Sequence, residues 1–177
     1  MFNDKYCLTQ AVLAGEKTMT RRVLRDNVPL GNWDETIKHL PYKVGDIVAI
    51  AQPYKDIIEC MAEYSDIIIN VDGSINREYK AGWTNSMFVR ANLMPHHIRI
   101  TDVKVERLQD ISDDEILKEG VWQLDELFYV SKNIGYALDV VFLSARKAFT
   151  YLIDMVSGEG TWIFNPWVVA YSFELID

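Results

Sequence analysis

The chain has 177 residues and a net charge of −8, with 49% apolar and 25% charged residues. That length and apolar content suit one domain with its own core, and the negative charge excludes a protein that coats nucleic acid nonspecifically, which needs a broadly positive face. No stretch approaches the roughly 20 apolar residues of a membrane-crossing helix, and "MFNDKYCLTQ" lacks the basic-then-apolar order of a signal peptide.

The expectation is therefore a cytoplasmic protein without membrane contact, a single domain over 1–177. Its two cysteines, Cys7 and Cys60, read as small buried apolar residues in a reducing compartment rather than a disulfide or metal pair.

In chain order, "LTQAVLA" (8–14) has apolar positions at helical spacing, with Thr9 as N-cap and Gly15 as stop. "GEKTMTRR" then reads as a turn carrying Lys17, Arg21 and Arg22, with Arg25 following. Residues 26–41 hold two prolines and a glycine and predict a loop with one helical turn. After a Gly45-Asp46 turn, Ile47–Ile50 form a short strand ended by Pro53. The pattern is poor over 54–95 apart from a hairpin around Asp72-Gly73. "HHIRITDVKVERL" is a long strand whose alternation slips once near Thr101-Asp102, which predicts a bulge. "ISDDEILKEG" predicts a helix capped by Ser112, with Glu115 completing a capping box and Gly120 ending it. Residues 121–136 read as irregular and aromatic, 137–158 as one amphipathic helix with Val141, Phe142, Ala145, Phe149, Leu152 and Ile153 on its apolar face, and "NPWVVAYSFELID" as a closing strand. Five or six strands with three helices and no βαβ rhythm predict an α+β domain on a small curved sheet or barrel.

The order of these elements resembles the ASCH domain, a relative of the PUA domain with a small mixed β-barrel and flanking helices. Gly15, Lys17, Thr20 and Arg22 fill a G-x-K-x-x-T-x-R signature, Gly45–Ile50 match its glycine-aspartate turn and apolar strand, and "GTWIFNPWVVAYSFEL" is similar to the end of longer bacterial and phage members. The resemblance covers roughly 8–50, 97–120 and 165–175, so the segments around 54–95 and 121–136 stand as insertions. It implies a domain that binds a nucleoside or RNA; no cofactor is expected. One branch of the family is a much shorter amidohydrolase of acetylated cytidine. Its lysine, threonine and glutamate set falls here on Lys17, Thr20 and Glu119.

Threonine attacks an amide only beside a base. Lys17 and Thr20 are three apart, so a helical turn would put them on one side. Lysine is a base only when its pKa falls; burial lowers it, and nearby Arg21, Arg22 and Arg25 lower it further. Glu119 would position Lys17, activate water, or protonate the leaving amine. Pairing with Lys17 would raise the lysine's pKa and oppose the base role.

Plainer readings stand beside these. The basic cluster is also what a solvated turn with surface ion pairs looks like, Thr18 and Thr20 are also capping residues, and Glu119 is equally suited to a salt bridge with Lys17 or Arg22. His96 and His97 are adjacent in a strand and point to opposite faces, which disfavours a shared metal. Trp83, Trp122, Trp162 and Trp167 are of a type that stacks on bases, though most tryptophans are core; Trp83 and Trp122 lie in the irregular segments and are the better candidates. Three functions remain: amide hydrolysis on an acylated cytidine, RNA binding without turnover through the same cations, and a phage or mobile-element accessory protein that docks a protein partner.

Overall fold

A computed structural model describes residues 2, 6–58, 65–131 and 140–177. The expectation for Cys60 lies outside the described residues, while Cys7 is buried as a free thiol.

Helix α1 (Leu8–Leu13) starts from Cys7, which takes a left-handed φ of 53° without a side-chain cap. Thr9 is therefore not the N-cap; it is buried in the first turn. Gly15 stops the helix as expected, at φ 73°. The basic segment that follows is not a turn. It runs into strand β1 (Met19–Val23), which pairs antiparallel with β7 (Trp167–Leu175), Thr20 opposite Tyr171 and Arg21 opposite Ala170. Pairing with a nine-residue apolar strand satisfies β1's backbone and overrides the local charge signal.

Within the predicted loop, the single helical turn forms as α2 (Trp33–Thr36), capped by the Asn32 side chain. Strand β2 (Ile47–Ala49) pairs antiparallel with β3 (His97–Arg107), and β3 pairs antiparallel with β7 with a register shift between Ile100 and Asp102, the bulge predicted from the sequence. The order β1-β7-β3-β2 makes a curled antiparallel half-barrel with β1 and β2 at its edges, so the α+β expectation holds.

Among its described residues, the segment 54–95 contributes α3 (Tyr54–Ile58), α4 (Ser65–Ile68) and three 3-10 turns around a small core of Tyr54, Ile57, Ile68, Tyr79, Leu93 and Met94. The predicted hairpin is a tight turn at Gly73 (φ 81°) closed by one antiparallel bridge between Ile69 and Ile75.

Helix α5 (Asp113–Lys118) carries the predicted capping box of Ser112 and Glu115. The supposedly irregular stretch after it contains a hairpin, β4 (Trp122–Leu124) and β5 (Leu127–Val130), turned at Asp125 with φ 53°. The helix expected over 137–158 begins later: Val140–Phe142 form β6 against β5, and α6 (Ala145–Ser157) starts where Ser144 caps it. Two β-branched valines favour the strand, and a serine accepting from Lys147 N–H fixes the helix start. A short α7 (Thr161–Phe164) leads into β7. No described helix is long and apolar enough to cross a membrane.

Alternation along β7 separates two cores. Val169, Tyr171 and Phe173 join Val12, Leu40, Ile50, Ile98, Ile100 and Val103 on one face. Val168 joins Leu108, Ile116, Phe149 and Leu152 on the other, beneath α5 and α6.

Gly120 joins α5 to β4 at φ 98°, and a Cβ there would lie 2.8 Å from Leu8 Cδ2. Gly120→Ala is expected to cost about 2 kcal/mol of unfolding free energy, from left-handed strain plus the contact with α1. Urea denaturation checks it; a loss within the scatter of surface substitutions would mean the backbone relaxes freely at this junction.

Candidate functional site

Lys17 sits just before β1, and its Nζ donates three hydrogen bonds: to Met19 O at 2.6 Å, to Glu119 O at 2.6 Å and to Glu119 Oε2 at 2.9 Å. Arg21, two residues into the strand, reaches the same carboxylate, Nη1 donating to Glu119 Oε1 at 3.0 Å. Its remaining donors go to Glu106 Oε1 on β3 (2.9 and 2.6 Å) and Glu115 Oε2 on α5 (2.9 Å). Lys104 closes the group by pairing with Glu106 and Glu115. Three cations thus balance three carboxylates, with Lys17 at 2% and Arg21 at 0% side-chain exposure. A main-chain bond from Thr18 N to Lys118 O at 3.0 Å joins the same two elements.

The electrostatics follow from burial and pairing. Burial pushes the Lys17 ammonium below its ordinary value; Glu119 opposes this, and the charges of Arg21 and Arg22 add to the lowering. Burial also disfavours the Arg21 charge, but Glu119 and Glu106 outweigh it and raise its pKa. Burial works against the Glu115 carboxylate, yet hydrogen bonds from Lys104 and the Ser112 N–H, with the Arg21 and Lys104 charges, hold it at about 2.

Thr20 belongs to different surroundings. In an extended strand it points away from Met19 and Arg21, and it lines a cleft of about 1000 Å³ at the free edge of β1. The cleft is bordered also by Arg21, Arg22, Arg25 and His39, by Tyr42 with its neighbours Leu40 and Pro41, by Asn85–Met87 of the 54–95 segment, and by the end of α6. Its charged lining is wholly basic; no aspartate or glutamate borders it among the described residues. Phe2, Thr20, Arg22 and Tyr42 also border an inner chamber of about 20 Å³ with Tyr171 and Phe173.

The proposed helical-turn arrangement of Lys17 and Thr20 is thus replaced by an extended one. Lys17 and Glu119 meet, but all three Lys17 donors go to Met19 and Glu119, and Lys17 borders neither the cleft nor the chamber that Thr20 lines. Arg21, expected at the ligand, borders the cleft as well, with its guanidinium buried among carboxylates. Arg22 and Arg25 border the cleft. Trp83 packs on the core of the 54–95 segment, and Trp122 stands on β4 in the three-stranded sheet; neither borders the cleft. His96 and His97 both contact Asp177, His97 Nδ1 lying 3.0 Å from Asp177 Oδ2. His39, Tyr42, Tyr171 and Phe2 had no sequence signal, because they reach the site from segments far apart in the chain.

Among solved structures, the chain is similar to the ASCH domain from Lactobacillus crispatus JV V101, at 16% sequence identity and a TM-score of 0.41, with 99% of this chain and 76% of that chain covered. No family model matches the chain, and no curated protein matches it.

Removing Glu119 strands two buried cations. Glu119→Ala is expected to destabilise by about 3–5 kcal/mol in urea unfolding; a loss below about 1 kcal/mol would mean water compensates Lys17 and Arg21. Glu115 adds an acid dependence. Its folded pKa, about 2, is below its ordinary 4.5, so between those values the unfolded chain binds more protons and stability drops as pH falls. Glu115→Gln should flatten that part of the stability-versus-pH curve, and an unaltered curve would remove Glu115 as its source.

Proposed function

We propose that this chain is an ASCH-type domain that binds a phosphate-bearing nucleotide, free or within single-stranded RNA, in the cleft at the edge of β1. The observation that carries this is the charge of the cleft: Arg22, Arg25 and His39 line it, and no carboxylate among the described residues does, in a chain of net charge −8. A concave site of one sign concentrates ligands of the other even when the whole molecule repels them. The apolar lining, Leu24, Val28, Pro41 and Met87 with the Tyr42 ring, supplies surface for a sugar and base. The order of signature, turn, strand and helix along the chain supports the family assignment.

Amide hydrolysis of an acylated cytidine is the second reading. What favours it is the Lys17 amine, lowered below its ordinary pKa and held 2.9 Å from Glu119. It requires Thr20 to come within reach of that amine, a rearrangement of the start of β1. Turnover of N4-acetylcytidine by the wild-type chain, abolished in a folded Lys17→Ala variant, would establish it, and no turnover above background would end it.

For binding, the test is salt dependence. Affinity for a single-stranded RNA oligonucleotide should fall steeply with salt, and Arg22→Ala with Arg25→Ala should flatten the slope of log K against log salt by about 0.7 for each phosphate that is no longer neutralised. An RNA affinity indifferent to salt and to both substitutions contradicts the cleft as the binding site.

A further inference from the structure

The link between α6 and β7 presents a short apolar knuckle to solvent. Helix α7 turns Trp162 inward, its ring 6.1 Å from that of Phe149, and leaves Ile163 and Phe164 each 80% exposed. Trp167, two residues past the left-handed Asn165, is 37% exposed. The exposure is held in place by side chains on either side. Trp162 N donates to Asp154 Oδ1 at 2.8 Å, Gln109 Nε2 to Trp162 O at 2.8 Å, Gln109 N to Asn165 Oδ1 at 2.8 Å, and Arg107 Nη1 to Asn165 O at 3.1 Å. A segment pinned by Asp154 of α6 and by Arg107 and Gln109 at the end of β3 does not fold its apolar side chains away from water. Large apolar groups held outward on a rigid element mark a surface that another molecule covers.

The charges at the two ends of the knuckle identify the cover. Glu159, just before α7, is exposed and has no ion-pair partner among the described residues. Arg107, at the other end, is exposed too; its guanidinium lies 4.7 Å from the Trp167 ring, and no carboxylate among the described residues meets it. Such a surface is complementary to itself. Turned end for end about a two-fold axis, a second knuckle sets its apolar pair against the first and each Glu159 against the other copy's Arg107. We propose that α7 is the centre of a homodimer interface in which two copies of this chain cross antiparallel in this way. The size fits: Ile163, Phe164 and Trp167 expose roughly 450 Å² per copy, at up to about 250 Å² for a fully exposed aromatic. Two such patches with their polar rims reach the roughly 1,200 Å² at which specific interfaces begin. Aromatic residues and arginine are also what interface cores are enriched in. The contact adjoins the cleft, because Leu24 on the cleft wall donates its N–H to Trp167 O at 2.9 Å, but it does not depend on what the cleft binds.

Sedimentation velocity of the full chain over a wide concentration range should show a reversible monomer–dimer equilibrium. Phe164→Ser should weaken the dimer at least about thirtyfold, as at an interface hot spot. Circular dichroism should find that variant folded, since the side chain it truncates is mostly in water. Glu159→Arg should weaken the dimer about tenfold by facing the other copy's Arg107, and adding Arg107→Glu should restore it, which lost packing alone would not do. A chain that stays monomeric at every concentration overturns the proposal; if it then floats with phosphatidylcholine–phosphatidylglycerol vesicles, lipid is the cover instead. A dimer indifferent to Phe164→Ser or to Glu159→Arg forms through another surface and overturns it too. Should Arg107→Glu fail to fold, having lost its Trp167 and Asn165 contacts, Glu159→Gln beside Glu159→Arg decides. The reversed charge should weaken the dimer more than the neutral one, and equal effects contradict the antiparallel crossing.

Discussion

The carboxylate of Glu119 holds two cations from one short stretch of chain, Lys17 at 2.9 Å and Arg21 at 3.0 Å, and the arrangement of the site depends on that shared acceptor. A buried ion cluster is poor evidence of stability, because desolvation offsets most of the Coulomb attraction. Its value here is positional. An unpaired ammonium or guanidinium at this depth would be so unfavourable that alternative registers of β1 against β7 and α5 are strongly disfavoured. The three carboxylates come from β3, the first turn of α5 and its C-cap, so the cluster ties the edge strand to the elements beneath it.

Fixing the register decides what each residue of the basic stretch can do. Alternate side chains of a strand face opposite ways. With Arg21 turned inward to the carboxylates, Thr20 and Arg22 must turn toward the cleft, and Thr20 stands opposite Tyr171. A run of cations that looked like one cluster is therefore two populations. One neutralises internal acid and is invisible to solvent. The other, with Arg25 and His39 from the following loop, makes a local basic surface on an acidic molecule. The 54–95 segment adds Asn85–Met87 to one wall, so it contributes to the cleft while keeping a small core of its own.

Much of the framework was legible in the sequence. The capping box of α5, the bulge in β3, the Gly73 turn and the closing strand each depend on local chemistry, which neighbouring residues disclose. The errors fall where a distant partner decides. The segment 19–23 looks like a solvated turn until β7 pairs with it. The hairpin of β4 and β5 turns at Asp125 without a glycine to mark it, and Val140–Phe142 continue a helical pattern that only pairing with β5 converts into strand. The meeting of Lys17 with Glu119 was anticipated as one alternative. That it would engage every Lys17 donor, and leave Thr20 on the other side of the strand, is a matter of register that no eight-residue motif encodes. The contributions of Tyr42, Tyr171 and Phe2 likewise exist only after folding.

The signature divides between the two sides of β1, a division that amide chemical-shift mapping on isotopically labelled protein probes residue by residue. On titration with a short pyrimidine RNA, the perturbed amides should trace Thr20, Arg22, Arg25, His39 and Tyr42, while those of Lys118, Glu119 and Gly120 stay still. Perturbations centred on the end of α5, with the cleft silent, would show that ligand reaches the ion cluster instead and would contradict the account.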